Sequence, residues 1–296
     1  MDIVRYLSRC DFASVGKAVV LLGIVTCFYQ LYSKWKRKRA IKKLAGKVVL
    51  ITGASSGLGE ALSRAFHSVG AKLILASRNA QQLERLKFQL ENERAPDQSS
   101  GTKRYSPQIL TLDLCEPSLA EQADRAIQLF GRVDILINNA GISSRGGVVE
   151  TDIGVDRKLM EVNFFGPVTL TKALLPHMLS QKEGHIVVIS SLQGKLGLPM
   201  RSSYSASKHA LHGYFDSMRT ELSVNALRGD GAKHGVMDAT TAQGMCPDFV
   251  AERILEAVAL KQRELVIASP HHHLALCLAT VAPGLMDRIL QFSRRT

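Results

Sequence analysis

The sequence predicts an α/β fold, a doubly wound parallel sheet, preceded by an N-terminal membrane helix. Two observations predict the sheet. From Lys47 onward short β-branched runs alternate with helical stretches, the pattern of successive βαβ units. The runs are also brief enough to be strands covered by helices on both faces. A third observation predicts the membrane helix: an apolar segment ahead of the alternation, followed by Lys34, Lys36, Arg37, Lys38, Arg39, Lys42 and Lys43. A chain of 296 residues holds one large α/β domain with extensions. The expected division is 1–43 for the anchor and its basic flank and 44–296 for the main domain.

The anchor is Ala18 to Leu31, AVVLLGIVTCFYQL. With Ser14 to Gly16 and a snorkelling Lys17 it approaches the roughly 17 residues of a thin span. Phe28, Tyr29 and Trp35 suit an interface. No small-x-small cleavage site follows, which favours an uncleaved signal-anchor over a signal peptide. A buried or surface-lying helix is the alternative. The basic flank places the main domain in the cytosol. Arg5 and Arg9, before the span, oppose this weakly. The expected location is the endoplasmic reticulum membrane, with the peroxisomal membrane as the alternative.

The alternation then runs in order. KVVLIT (47–52) is a strand, followed by a helix at 57–69 with Gly70 at its C-cap. KLILAS (72–77) precedes a helix at about 79–93 and a polar loop through ERAPDQSSGTKRYSP. QILTLD (108–113) precedes a helix at 117–130, and VDILIN (133–138) a long helical region at 151–180 that Pro167 is expected to kink. HIVVIS (185–190) leads to helices from Tyr204 to Leu222 and from Pro247 to Lys261, and LVIAS (265–269) reads as the last strand. LALCLATVAPGLM (274–286) is too short and interrupted for a second span.

Charge and cysteines exclude several classes. Of the net charge of +12, residues 1–43 carry +8, so the basic character is one local run and not a folded nucleic-acid face. Cys10, Cys27, Cys115, Cys246 and Cys277 form no C-x-x-C pair, which argues against a disulfide framework or zinc site. His271, His272 and His273 are adjacent and point in different directions, so they read as a surface loop, not a metal site.

The first strand runs into Thr52-Gly53-Ala54-Ser55-Ser56-Gly57-Leu58-Gly59. Glycines at such a turn let the backbone approach a pyrophosphate, and the next helix points its N-terminus at the phosphates. This is a Rossmann-type turn. The second strand ends at Ser77 and Arg78 with no Asp or Glu, which favours the 2′-phosphate of NADP(H), NAD(H) being the alternative. Further on, Asn138-Asn139-Ala140-Gly141 closes the fourth strand, Asn163 lies in MEVNFFG, and Ser191 follows the fifth strand. Tyr204 and Lys208, in SYSASKHA, share one helix face. Ser190 is the serine expected to face away.

TGASSGLG, NNAG, Asn163 and Ser191-x12-Tyr204-xxx-Lys208, across about 45–222, resemble the short-chain dehydrogenase/reductase family. The resemblance implies hydride transfer between a nicotinamide and a carbonyl or alcohol. Tyr204 would be the acid or base, Ser191 would hold the substrate oxygen, Lys208 the nicotinamide ribose, and Asn163 a relay water. It also implies an adenine contact at Asp113 and a structural role for Asn139. A free phenol ionises near pH 10, and a neighbouring ammonium favours the phenolate. The anchor and the resemblance together imply a lipophilic substrate such as a steroid, retinoid or keto-lipid. No nucleic-acid partner is expected; a homodimer is a candidate assembly.

The chain departs from that pattern after Leu222. No apolar β run and no Pro-Gly occur between 223 and 246, where the family carries a strand covering the nicotinamide. The expected loss is about twenty residues, one strand with its connections. The implied alternative is a shortened, catalytically weak nucleotide-binding or interaction protein.

Overall fold

Strand β1 (Val48–Thr52) is buried along its whole length. Successive side chains of a strand go to opposite faces. Val49 and Ile51 join one apolar cluster, Val48 and Leu50 another. A strand with no polar side belongs inside a sheet covered twice. The computed structural model, which describes residues 12–93, 103–224 and 245–292, has that arrangement. β2 (Lys72–Ser77), β3 (Gln108–Thr111), β4 (Ile135–Asn138) and β5 (His185–Val188) complete a parallel sheet in the order β3-β2-β1-β4-β5. The chain leaves β3 at one edge and re-enters beside β1. Such a reversal opens a crevice at the carboxyl ends of β1 and β4.

Helix α1 (Phe12–Lys42) precedes the sheet; α2 (Gly57–Ser68), α3 (Ala80–Asn92) and α4 (Leu119–Phe130) follow β1, β2 and β3. The segment after β4 comprises α5 (Ile153–Met160), a π turn (Glu161–Phe165) and α6 (Gly166–Ser180). After β5 come α7 (Ser202–Val224) and α8 (Pro247–Ala259). Leu62 and Phe66 of α2 pack with Val250 and Ile254 of α8 on one face. Ala123 of α4, Leu170 and Leu174 of α6, and Leu211 and Phe215 of α7 cover the other. Each such buried apolar side chain contributes about 1.5–3 kcal/mol, so the crevice is held by two rigid layers.

The region 151–180 is helical from Ile153 to Ser180, and the residues just ahead of Pro167 widen into the π turn, where the Gly166 N–H donates to the Glu161 carbonyl five residues back. Two expectations are corrected. LVIAS is not a strand: Ile267 makes a single bridge, and the segment is held by burial of Ile267 and packing of Leu265 on the α2/α8 face. The histidine triplet stands in the first turn of α9 (Pro270–Val281), because Pro270 starts a helix there. His271 and His272 both meet the Ser269 hydroxyl, at 3.0 and 2.5 Å.

The stretch 274–286 divides between α9 and α10 (Pro283–Phe292), which pack on each other. Among the described residues no helix is long and apolar enough to cross a membrane. α1 leaves Val20, Leu21, Leu22, Phe28 and Tyr29 exposed. Its other end is docked, with Arg37 on Glu256 of α8 at 3.1 Å and Ile41 against the core. Arg5 and Arg9, the polar loop at 94–102, and the stretch 225–244, where the missing strand was expected, lie outside the described residues.

His67 closes the back of α2, buried, with Nε2 on the Tyr105 carbonyl at 3.2 Å. Burial lowers its pKa below the ordinary 6.5, outweighing the bond to Tyr105. A depressed histidine means that the unfolded chain binds the proton more readily. Stability from this group is therefore present above pH 6.5 and is lost as pH falls through the lower folded value. Denaturant titrations from pH 8 to pH 5 are expected to show this loss. His67→Gln, which keeps a donor but cannot titrate, is expected to reduce the slope.

Candidate active site

At the carboxyl end of β1 the chain turns at Gly53, with φ +65°. A Cβ there would stand 2.9 Å from the Ala140 Cα. At Gly59 a Cβ would stand 2.0 Å from the Gly53 carbonyl oxygen and 2.7 Å from the Asn139 amide nitrogen. The first turn of α2 thus rests directly on the strand that precedes it. Ser56, the N-cap, makes no side-chain capping bond to the free N–H groups of that turn. Such groups form a ready anion site. Thr52 and Asn139 hold the turn against β4. Thr52 Oγ1 donates to the Ile137 carbonyl at 3.2 Å and accepts the N–H groups of Asn139 and Ala140 at 3.0 and 3.1 Å. Asn139 Nδ2 donates to the Thr52 and Gly53 carbonyls at 2.9 and 3.3 Å.

A cavity of about 1090 Å³ opens over this turn. A single drug-sized ligand typically occupies a pocket of ~300–1,000 Å³, so a dinucleotide has room. Gly53, Ser55, Ser56, Gly57, Leu58 and Gly59 form its floor. Arg78 and Asp113 line it beyond β2 and β3; Tyr204, Lys208 and Ser190 line it too. Asp113 is the one acid among the described lining residues, and its Oδ1 accepts the Cys115 N–H at 3.0 Å. The turn after β2 reads Ser77-Arg78-Asn79, where Asn79 caps α3 by accepting the Gln82 N–H at 3.1 Å.

At the chemical end, Tyr204 and Lys208 are 3% and 5% exposed, one turn apart on α7. Lys208 Nζ lies 5.8 Å from the Tyr204 ring centre and donates to the Ile189 carbonyl at 3.1 Å. Asn163, in the π turn, is fully enclosed. Its Oδ1 accepts the Ile142 N–H at 2.8 Å, and its Nδ2 donates to the Ile142 carbonyl at 2.9 Å and to Ser207 Oγ at 3.0 Å. Ser207 donates in turn to the Tyr204 carbonyl at 2.8 Å. One amide therefore ties the loop after β4 to the first turns of α7. Ser191 is buried and caps a 3-10 turn (Leu192–Gly194), its Oγ accepting the Gln193 N–H at 3.2 Å.

Ser190 is among the residues bordering the cavity and Ser191 is not, but the Ser190 hydroxyl is turned to His212, outside the lining. β5 ends at Val188, so strand alternation no longer sets directions beyond it. The Ser190 hydroxyl meets His212 Nε2 at 2.9 Å. The cavity thus unites the glycine turn with Arg78, Asp113, Asn139, Tyr204 and Lys208, while Asn163 and Ser191 stand behind its lining.

A family model described as short chain dehydrogenase matches residues 47–247, a span that holds both ends of this cavity. The chain belongs to the short-chain dehydrogenase/reductase family. It is 47% identical over 293 residues to Dehydrogenase/reductase SDR family member 7B of Bos taurus, covering 92% of this chain and 88% of that protein. It is 41% identical over 291 residues to Dehydrogenase/reductase SDR family protein 7-like of Drosophila melanogaster, covering 92% and 87%. Among solved structures, a metagenomic short-chain oxidoreductase in complex with NADP is similar at a TM-score of 0.64 and 28% identity, over 76% of this chain and 97% of that one. An alcohol dehydrogenase from the archaeon Thermococcus sibiricus, complexed with 5-hydroxy-NADP, gives 0.66 and 25% over the same shares.

In this member of the family several working residues escaped the sequence reading. Thr52 and Ser207 lie inside the quoted motifs and His212 continues the 204/208 interval, but their partners across the fold could not be read from the sequence. Arg201 is another: its guanidinium donates to Ser143 Oγ at 2.5 Å and to the Ser144 carbonyl at 3.1 Å, fastening the loop after β4 to the start of α7. Its place three residues before Tyr204 is the one signal available. The tightest approach to backbone is at Gly59. Gly59→Ala is expected to weaken nucleotide binding by more than about tenfold or to lower stability by about 1–3 kcal/mol, an overpacking cost, because its methyl has no space. Fluorescence titration and thermal unfolding would separate the two outcomes.

Proposed function

We propose that this chain transfers a hydride between NADP(H) and a lipophilic carbonyl or alcohol. One observation carries the reading: Tyr204 and Lys208, both buried, line the same cavity as the Gly53–Gly59 turn. The glycine cradle, which a Cβ at Gly59 would fill, fits a pyrophosphate, and the α2 amides face it. Arg78, with no acid at its turn, suits a 2′-phosphate. The similar structures include complexes with NADP and with NAD, so the preference rests on Arg78. When bound, the nicotinamide supplies or accepts the hydride.

The chain's own residues handle the proton and the charge. In reduction Tyr204 gives its phenolic proton to the carbonyl oxygen. The Lys208 ammonium stabilises the charge left on the phenol oxygen. Ser191 stands one residue beyond the cavity wall and holds the substrate oxygen once substrate reaches it. Asn163 fixes the loop at Ile142 and the backbone of Tyr204 through Ser207; by the family resemblance it would also hold the water that returns the proton. NADPH is expected to quench or shift protein fluorescence at lower concentration than NADH. Tyr204→Phe is expected to bind NADPH normally and to lose about 10²–10⁴-fold in turnover on a panel of ketones and quinones. Full turnover by Tyr204→Phe would remove the phenol from the mechanism.

A second reading has its own support. Among the described residues the sheet ends at β5, and LVIAS contributes only a bridge. A nicotinamide cover weakened in this way would leave a nucleotide-binding protein of low activity, as the sequence after Leu222 suggested. NADPH binding without turnover on the same panel selects this reading.

We also infer that Ala18–Leu31 holds the domain on the cytosolic face of an endoplasmic reticulum or peroxisomal membrane. Its exposed apolar side chains and the basic run after them support this. In cell fractions the chain is expected to stay in the pellet through alkaline carbonate. Leu21→Arg with Val25→Arg, both at exposed positions, is expected to move it to the supernatant.

A further inference from the structure

We infer that His212 is a positioning residue for the chemical end of the site, clamping the exit of β5 so that the segment bearing Ile189 and Ser191 keeps its place. The inference rests on the hydride-transfer reading above. Tyr204, Lys208 and His212 recur every fourth residue along α7, so they lie on neighbouring positions of one helix face. The exit of β5 bonds two consecutive residues to that face. The Ile189 carbonyl accepts from Lys208 at 3.1 Å, and Ser190 Oγ meets His212 Nε2 at 2.9 Å. Ser191 follows in extended conformation, with φ −146° and ψ 164°, and starts the 3-10 turn.

That turn closes over the clamp. A Cβ on Gly194 would stand 2.6 Å from Ser190 Oγ and 2.7 Å from His212 Cδ2. Glycine is what lets the turn lie on the Ser190–His212 pair. Ser190 is 1% exposed, and a hydroxyl so enclosed is costly to leave without a partner. His212 lies about 12 Å along the axis from Tyr204, so it grips the exit two turns beyond the phenol. Two successive residues of one exit, each bonded to the next turn of one helix, resist rotation where a single bond would not. The role requires a nitrogen at the Nε2 position and does not require the ring to change charge.

Full-length His212→Phe, His212→Gln and Ser190→Ala decide the matter, together with the Ser190→Ala/His212→Phe double variant. Phenanthrenequinone is the turnover probe, NADPH fluorescence reports binding, and amide hydrogen exchange covers 189–194. His212→Phe is expected to lower kcat about tenfold, the size of one lost hydrogen bond to an enclosed group, with NADPH binding changed less than about twofold. His212→Gln is expected to recover most of kcat, and the double variant to be no worse than the poorer single one. Exchange at 189–194 is expected to quicken in His212→Phe and Ser190→Ala and to stay slow in His212→Gln. Unchanged exchange in His212→Phe, or additive losses in the double variant, would overturn the inference. If the unaltered chain binds NADPH but does not reduce the probe, the functional reading fails, and the exchange pattern still decides the clamp.

Discussion

Gly53 and Gly59 bring two backbones together with no room for a side chain between them, and the rest of the site is arranged around that approach. Because the first turn of α2 rests on the carbonyl of Gly53, its N–H groups open into the crevice at the ends of β1 and β4. Thr52 and Asn139 answer the polar groups that this proximity would otherwise bury. Their bonds cross from β1 to β4, so the floor of the cavity is tied to the most enclosed part of the sheet.

The chemical end is built differently. No single element carries it. The π turn offers Asn163, α7 offers Tyr204 and Lys208, and the exit of β5 offers Ile189, Ser190 and Ser191. Hydrogen bonds between these pieces, through Asn163 to Ile142 and Ser207 and through Lys208 to Ile189, fix their spacing. A proton-transferring phenol needs such support, since small displacements of reacting groups cost rate steeply. The apolar clusters on both faces of the sheet supply the stiffness behind it.

The sequence made the first strand, its glycine turn and the Tyr204–Lys208 pair legible, and the structure has them where that reading placed them. Other features were hidden for identifiable reasons. The apolar pattern of 151–180 is that of a helix throughout, and a period cannot show that one bond ladder lengthens at Glu161. LVIAS has strand composition, but composition does not reveal whether a neighbouring edge is within reach. Ser190 and Ser191 are adjacent and chemically identical, so composition could not show that His212 takes the Ser190 hydroxyl. His212 and Arg201 fall at helical intervals from Tyr204, but their partners are distant in sequence, so spacing alone does not say what they hold.

The amino-acid order by itself determined what local sterics and spacing can express. Glycine is needed where a Cβ would collide, apolar runs are needed where both faces are covered, and an i, i+4 interval puts a phenol and an amine on one side of a helix. Only the tertiary structure decided which polar groups meet across the fold: Asn163 with Ile142, Ser190 with His212, Arg201 with Ser143. Those pairings depend on how layers and strand ends are set against each other, and that is a property of the packed chain as a whole, beyond what any short segment encodes.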